Sequence, residues 1–188
     1  MQGAFIQALT YSPPSVLGRQ LRAFSSWHGI VLEAAGSPYI VGGIPALDDM
    51  VLGVWVCSRS YADGWLGALD LAAAGAWGEN LQNHDFLSAL TAFGEYIAAS
   101  FMGPEYWSSG EGSSIRAPYM WHLATFGMMH LHLSDLAAWD YPIARLMCHY
   151  ACKSESDGSK DLMSADDIKG MEVLKADAEK EKEAKLCP

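Results

Sequence analysis

The sequence predicts an all-α fold, a compact bundle of about six to seven helices followed by a polar, partly solvated C-terminal helix. Apolar residues recur at intervals of three and four in several segments, which is the spacing of one helix face. Clusters of glycine and proline separate these segments, and no stretch alternates strictly between apolar and polar residues as a half-buried strand would. The 188 residues suffice for one hydrophobic core, which we place in a domain over 24–152.

Residues 1–23 are predicted to form an N-terminal arm. They contain apolar side chains without helical periodicity, and they include the pair Pro13 and Pro14. Proline lacks a backbone N–H donor and clashes with the preceding helical turn, so this part of the arm cannot lie inside a helix.

The stretch from Phe24 to Tyr61 predicts two amphipathic helices joined by a loop rich in glycine and proline. The apolar stripe of the first helix consists of Trp27, Ile30, Val31 and Ala34. Gly36 supplies the permissive backbone for a helix end, and Pro38 prevents the helix from continuing. The stripe of the second helix consists of Leu47, Met50, Val51, Val54 and Trp55. Asp48 and Asp49 lie in its first turn, where carboxylates suit the helix dipole.

Two more helices are expected before residue 102. The third predicted helix has a face of small residues that allows a neighbour to pack closely, formed by Ala72, Ala73 and Ala76. The fourth has the clearest apolar stripe of the chain, formed by Phe86, Leu90, Phe93, Ile97 and Phe101. Residues 102–117 are rich in glycine, proline and serine, so they predict a loop.

The second half of the core is predicted to hold a long helix after Pro118, a short turn capped by Ser134 and a last helix capped by Asp140. Pro142 falls in the first turn of that last helix, where a missing N–H donor has no consequence. Beyond the core, residues 153–188 predict a polar linker and a charged helix. Ser164 and Asp167 at the start of this helix are spaced like a capping box.

The charge distribution argues against two kinds of partner. Residues 1–150 contain 12 acidic groups and five basic groups, all arginine, and every lysine falls at or after Lys153. An acidic surface repels phosphate, so we expect neither nucleic-acid binding nor attraction to an anionic membrane. The four cysteines lack the dense spacing of a secreted disulfide scaffold, which favours a reducing cytoplasm.

Two groups of residues have the side chains of metal ligands. Cys148 and Cys152 lie four residues apart on one helix face, and His122 and His130 lie eight apart on roughly one face. A structural zinc site needs four ligands, so we interpret the thiols as small buried hydrophobes and the histidines as core or interface residues. We expect no metal and no cofactor, and a zinc-stabilised or metal-dependent helical protein stays an alternative.

The motifs that we sought for nucleophilic catalysis and for phosphate binding are absent, so we expect a protein that is not an enzyme. Tyr106 and Trp107 lie in the predicted loop, where no core stripe requires them. Met128 and Met129 have the adaptable side chains that suit binding surfaces. We predict these four residues, together with Trp55, as partner-binding residues.

Four stretches resemble small helical proteins of bacteriophage structural modules, most closely the tail assembly chaperone-like proteins of tailed phages. They are Leu21–His28, Leu32–Pro38, Asp48–Ser58 and Ser134–Pro142. None of them is a catalytic motif, and no site residue is transferred from the family.

The resemblance implies a protein that acts in the host cytoplasm and binds a phage tail protein, either the tape-measure protein or the tail-tube protein. Such chaperones hold the long helical tape-measure protein soluble until the tail tube polymerises around it. The alternative is a structural component of the virion, such as a head-tail connector or a minor tail protein. A homo-oligomer is left open.

Overall fold

The computed structural model describes residues 3–64, 67–81, 85–105, 118–158, 162–164 and 166–175. In these residues the chain forms α-helices, one 3₁₀ helix at Tyr61–Asp63 and one two-stranded hairpin, which confirms the predicted all-α class. The helices are α1 Gly3–Thr10, α2 Ser26–Ala34, α3 Pro38–Val41, α4 Leu47–Cys57, α5 Ala68–Glu79, α6 Phe86–Ser100, α7 Tyr119–His130, α8 Asp135–Asp140 and α9 Ile143–Ser156. The C-terminal segment 166–175 is also helical.

Helix α2 lies at the centre of the bundle, where it contacts α3, α4, α7 and α8. Its stripe is buried as predicted at Trp27 and Val31, and Leu32 is completely covered. Gly36 ends this helix with a φ of +70°, the left-handed conformation that glycine adopts without steric penalty. The predicted end of α2 is therefore confirmed, and its predicted stripe is confirmed at Trp27 and Val31 but was wrong at Ala34, which is exposed.

Helices α4 and α6 approach closely at Gly53. A Cβ atom at this position would lie 2.5 Å from the ring of Phe93, which is fully buried against α4. Glycine inside a helix is unfavourable by roughly 0.5–1 kcal/mol relative to alanine, so the close packing of the phenylalanine ring explains its presence here.

The N-terminal arm is built into the fold. Helix α1 packs against α9, where Arg145 Nε donates to the carbonyl oxygen of Ala8 at 3.1 Å. The hairpin pairs β1 (Ser15–Val16) with β2 (Arg19–Gln20) in antiparallel register. Val16, in β1, and Leu21, just after β2, are each 2% exposed. Residues 3–23 therefore contribute to the core that the sequence predicted to begin at residue 24.

Two junctions hold the start of α2, the end of α4 and the α8–α9 corner together. Ser25 forms an isolated antiparallel bridge with Pro142, and the Ile143 N–H donates to the carbonyl oxygen of Phe24 at 2.9 Å. The Tyr61 N–H donates to Asp140 Oδ1 at 2.7 Å. The prediction that Asp140 caps the last core helix was wrong, because its carboxylate holds the 3₁₀ helix and Pro142 precedes α9.

The C-terminal part of the chain follows the predicted pattern of caps. Ser164 and Asp167 are joined by reciprocal hydrogen bonds, including Ser164 N–H to Asp167 Oδ2 at 2.9 Å, so the predicted capping box is confirmed. Helix α9 runs four residues past the predicted end of the core at 152. Within the described ranges, we find no helix with the length and apolar character needed to cross a membrane.

Candidate binding groove

Helices α4 and α5 form an antiparallel hairpin whose inner surfaces touch. At one end Arg59, just after α4, forms an ion pair with Asp70 in the first turn of α5. Towards the other end Gly78 faces Val51, and a Cβ atom on this glycine would lie 2.9 Å from a Val51 methyl carbon. The two helices are therefore in close contact along most of α5.

An open groove of about 530 Å³ runs along this hairpin and reaches the start of α6. Eight of its ten lining residues are apolar or glycine, among them Leu47, Val51, Leu52, Leu71, Ala74 and Phe86. Leu47 and Leu71 are 44% and 46% exposed, so the groove opens to solvent along its sides. An apolar groove open in this way suits the face of a helix better than a small molecule, which needs an enclosing pocket with convergent polar groups.

Helix α5 beside the groove is exposed for most of its length. Of its 12 residues only Asp70 and Ala74 are buried, although nine are alanine, leucine, tryptophan or glycine at exposed or half-buried positions. Leu69 is 70% exposed. A helix that is apolar nearly all round is normally covered on all sides, so α5 lacks a covering element among the described residues.

Gly75 in the floor of the groove has no packing partner. A Cβ atom at this position would meet nothing within 4 Å, in contrast to Gly78 one turn later. The intramolecular packing therefore gives no reason for glycine at position 75. The residue leaves a flat floor on which a partner backbone can approach.

Two carboxylates stand at one end of the groove. Asp48 belongs to the first turn of α4 and Glu79 is the last residue of α5, and both are exposed. Neither has a hydrogen-bond or ion-pair partner among the described residues. Two further carboxylates lie nearby in the chain but are engaged as caps, Asp49 with the N–H of Ala46 and Asp85 with the N–H of Ser88. This end of the groove is therefore acidic.

Trp55, which the sequence predicts as a partner-binding residue, lies half-buried outside this groove. The guanidinium carbon of Arg19 stands 4.2 Å from its ring centre and 4.6 Å from that of Trp77. Arg19 also donates to Ser58 Oγ at 3.1 Å. A partly desolvated cation over two indole rings contributes about 1–2 kcal/mol to the stability of the fold. Through Arg19, Trp55 therefore helps to hold the β1–β2 hairpin against α4 and α5.

The other predicted site residues lie elsewhere. Met129, His122 and His130 line a second groove of about 310 Å³ between α7 and α9, whereas Met128 is half-buried. Tyr106 and Trp107 lie outside the described residues. The predicted partner-binding residues that the structure describes therefore do not share one surface. Of them, Met129 lines the groove between α7 and α9.

The two cysteines on α9 differ in environment. Cys148 is buried, and this burial raises the pKa of its thiol, whereas Cys152 is exposed. His122 and His130 line the neighbouring groove without either thiol. In the described part of the chain, no three histidine, cysteine or acidic side chains come together in a way that would hold a metal ion.

Ser25 and His28 form a hydrogen-bonded pair in the interior. His28 Nδ1 accepts from the N–H of Ser25 at 2.9 Å, so Nε2 carries the proton and donates to the carbonyl oxygen of Arg59 at 2.8 Å. Burial lowers the pKa of His28 to about 4. Both side chains are at most 1% exposed, so a substrate cannot reach them, and the pair has a structural role.

The stretches that carry the resemblance meet in this interior. His28, in the first stretch, bonds to the residue that follows Asp48–Ser58, and Ser25 bridges to Pro142 at the end of Ser134–Pro142. These stretches therefore build the centre of the fold, and only part of Asp48–Ser58 reaches the groove. No protein-family model, no curated protein and no solved structure matches this chain.

Sequence reasoning missed the residues that line the groove. It assigned Leu47 to a buried stripe and made no functional prediction for Leu71 or Gly75. The signal that could have found them is the composition of the third predicted helix, whose residues are apolar on every face and include a small-residue face with no evident partner.

Proposed function

We propose that this protein is a non-enzymatic assembly factor of a tailed bacteriophage that binds a helical partner, such as the tape-measure protein, during tail assembly. The observation that carries the proposal is the open apolar groove between α4 and α5, with the exposed helix α5 beside it. Contiguous exposed apolar surface of this kind marks sites of protein–protein interaction. The resemblance to tail assembly chaperone-like proteins suggests which partner the groove receives.

In this proposal an amphipathic helix of the partner lays its apolar face into the groove. Leu47 and Leu71 supply apolar contact on the two walls, and Gly75 allows the partner backbone to approach the floor. Covering the partner's apolar face in this way keeps it from aggregating before the tail tube encloses it. The protein acts in the host cytoplasm and leaves the partner when assembly proceeds.

The proposal is tested by co-expressing the chain with the tape-measure protein of the same phage, followed by affinity capture and sizing of the complex. We expect a soluble complex that forms when both proteins are made together. Gly75→Leu fills the groove floor and should abolish capture. Gly94→Leu is the matched control, because Gly94 also lies inside a helix with nothing within 4 Å of an added Cβ atom, and it does not line the groove.

Two results would contradict the proposal. One is a tape-measure protein that is equally soluble and is not captured when the chain is present. The other is recovery of the chain from finished phage particles in stoichiometric amount, which would assign it to the structural components of the virion.

A further inference from the structure

We infer that the α4–α5 groove selects a partner helix whose apolar stripe is followed by lysine or arginine at one end. This inference rests on the proposed function, because it names the chemistry of the partner at the same groove. The groove combines two features that a partner has to match, an apolar floor and an acidic end. The partner is therefore defined by the order of apolar and cationic residues along its helix.

The acidic end arises from the antiparallel arrangement of the two helices. Because Arg59 and Asp70 pair at the opposite end, the start of α4 and the end of α5 lie side by side, which brings Asp48 and Glu79 to the same rim. Glu79 adds to the partial negative charge at the C-terminal end of α5, while Asp48 balances the partial positive charge at the start of α4. The net field at this rim is negative.

Three of the four described arginines are engaged away from this rim, and the fourth, Arg22, is exposed and does not line the groove. Arg59 is paired with Asp70, Arg19 is stacked on two tryptophans, and Arg145 donates to the arm. Among the described residues that line the groove, none is basic. A basic side chain on the partner therefore finds two carboxylates and no competing cation among the described lining residues.

The same charges argue against a second copy as the occupant. Residues 1–150 carry 12 acidic and five basic groups, so two such bodies repel each other at low ionic strength. The C-terminal segment 166–175 offers exposed Val173 and Leu174 together with two lysines, but it also carries three acidic residues. A partner with a purely cationic end matches the acidic rim better than a second copy of the chain or the segment 166–175.

The test uses two synthetic peptides of about 20 residues that share one leucine and alanine stripe. One peptide ends in three lysines and the other ends in three glutamines. We expect the full chain to bind the lysine peptide about fivefold more tightly at low ionic strength, since exposed ion pairs contribute modestly and are screened by salt. Fluorescence anisotropy of labelled peptide measures both dissociation constants, and the preference should shrink in 0.5 M salt.

Matched variants show which residues cause the preference for the lysine peptide. Replacing Asp48 by Asn and Glu79 by Gln together should make the dissociation constants of the two peptides equal. A control that replaces Glu33 and Glu155 by Gln changes the net charge equally at exposed positions outside the groove and should keep the preference. Gly75→Leu should abolish the binding of both peptides, whereas Gly94→Leu should not.

Equal affinity for the two peptides would overturn the inference while leaving the proposed function intact, provided that the tape-measure protein is still captured and Gly75→Leu still prevents capture. Binding that survives Gly75→Leu would also overturn it, because the peptides would then lie on another surface. A third result would also overturn the inference: neither peptide binds, and the protein forms a dimer that Gly75→Leu disrupts. That result would assign the groove to a second copy of the chain. Failure of tape-measure capture with intact lysine preference would contradict the proposed function alone.

Discussion

At the scale of single residues, polar side chains in this protein hold its segments together. His28 joins the start of α2 to the end of α4 through the carbonyl oxygen of Arg59. Asp135 accepts from Trp139 Nε1 at 3.2 Å and from the Tyr61 hydroxyl at 3.3 Å, so it supports the contact between α8 and the 3₁₀ helix. The bond of His28 satisfies a buried polar group that would be destabilising if it had no partner.

The burial of His28 makes the stability of the fold depend on pH. Its pKa is lowered to about 4 in the folded state and is near 6.5 in the unfolded chain, so between these values the unfolded chain binds more protons. The stabilisation is complete above pH 6.5 and is lost as the pH falls towards 4. We expect a loss of about 3 kcal/mol in the free energy of unfolding across this window.

Urea denaturation at pH 7, 5.5 and 4.5 measures this loss. His28→Gln keeps one amide donor for the carbonyl oxygen of Arg59 but cannot be protonated in this window. The variant should be less stable than the wild type at pH 7 and should depend less on pH. Parallel pH profiles for the two proteins would contradict the assignment of this dependence to His28.

At the scale of helices, glycine decides how closely pairs of elements pack. Gly53 and Gly78 lie where a neighbouring side chain occupies the position of a Cβ atom, at the α4–α6 and α4–α5 contacts. Gly75 lies on the open side of the same helix as Gly78, and a Cβ atom added there would meet none of the described atoms within 4 Å. Two glycines of α5 therefore have opposite structural consequences, although they lie three residues apart.

Alanine substitutions at these two positions should change stability in opposite directions. Gly78→Ala should lower the free energy of unfolding by about 1–2 kcal/mol, because its methyl group overlaps Val51. Gly75→Ala should raise it by about 0.5–1 kcal/mol, because it removes the conformational entropy of a helical glycine without a clash. Chemical denaturation of the two variants beside the wild type measures both effects. Destabilisation of similar size by both substitutions would show that Gly75 has a packing role within this chain.

At the scale of the whole molecule, an acidic body carries exposed apolar side chains. Residues 1–150 are acidic, and every lysine lies at or after Lys153. Three of the described arginines contact other residues of the chain. Several large apolar side chains at the α4–α5 hairpin and its neighbours are exposed, among them Ile44 at 95% and Leu87 at 76%. This combination supports the proposed partner, which is apolar and cationic.

The fold should not depend on a metal ion. Cys148 is buried with a raised pKa and Cys152 points to an exposed surface, so the two thiols do not offer a ready pair of thiolate ligands. We expect a melting temperature that is unchanged by 5 mM EDTA, and the same for Cys152→Ala. Elemental analysis of the purified protein provides the second measurement. Stoichiometric zinc together with a lower melting temperature in EDTA would support the zinc-stabilised alternative.

The sequence by itself determined the helical class, three of the caps and part of the apolar faces. Gly36, Ser134 and the pair of Ser164 and Asp167 act through neighbours within a few residues, so their roles are visible in a local pattern. The stripe of α4 was likewise correct at Met50 and Val54, which are fully buried.

Only the tertiary structure decided which apolar faces are covered. Leu47 and Met50 belong to the same predicted stripe, yet the first is exposed at the groove and the second is in the core. Trp55 was predicted at the binding surface, but the guanidinium group of Arg19, from the β1–β2 hairpin, lies over its ring. Periodicity reports that a face is apolar, but the element that covers it comes from a distant part of the chain. The groove therefore became visible only when α4, α5 and α6 were placed together.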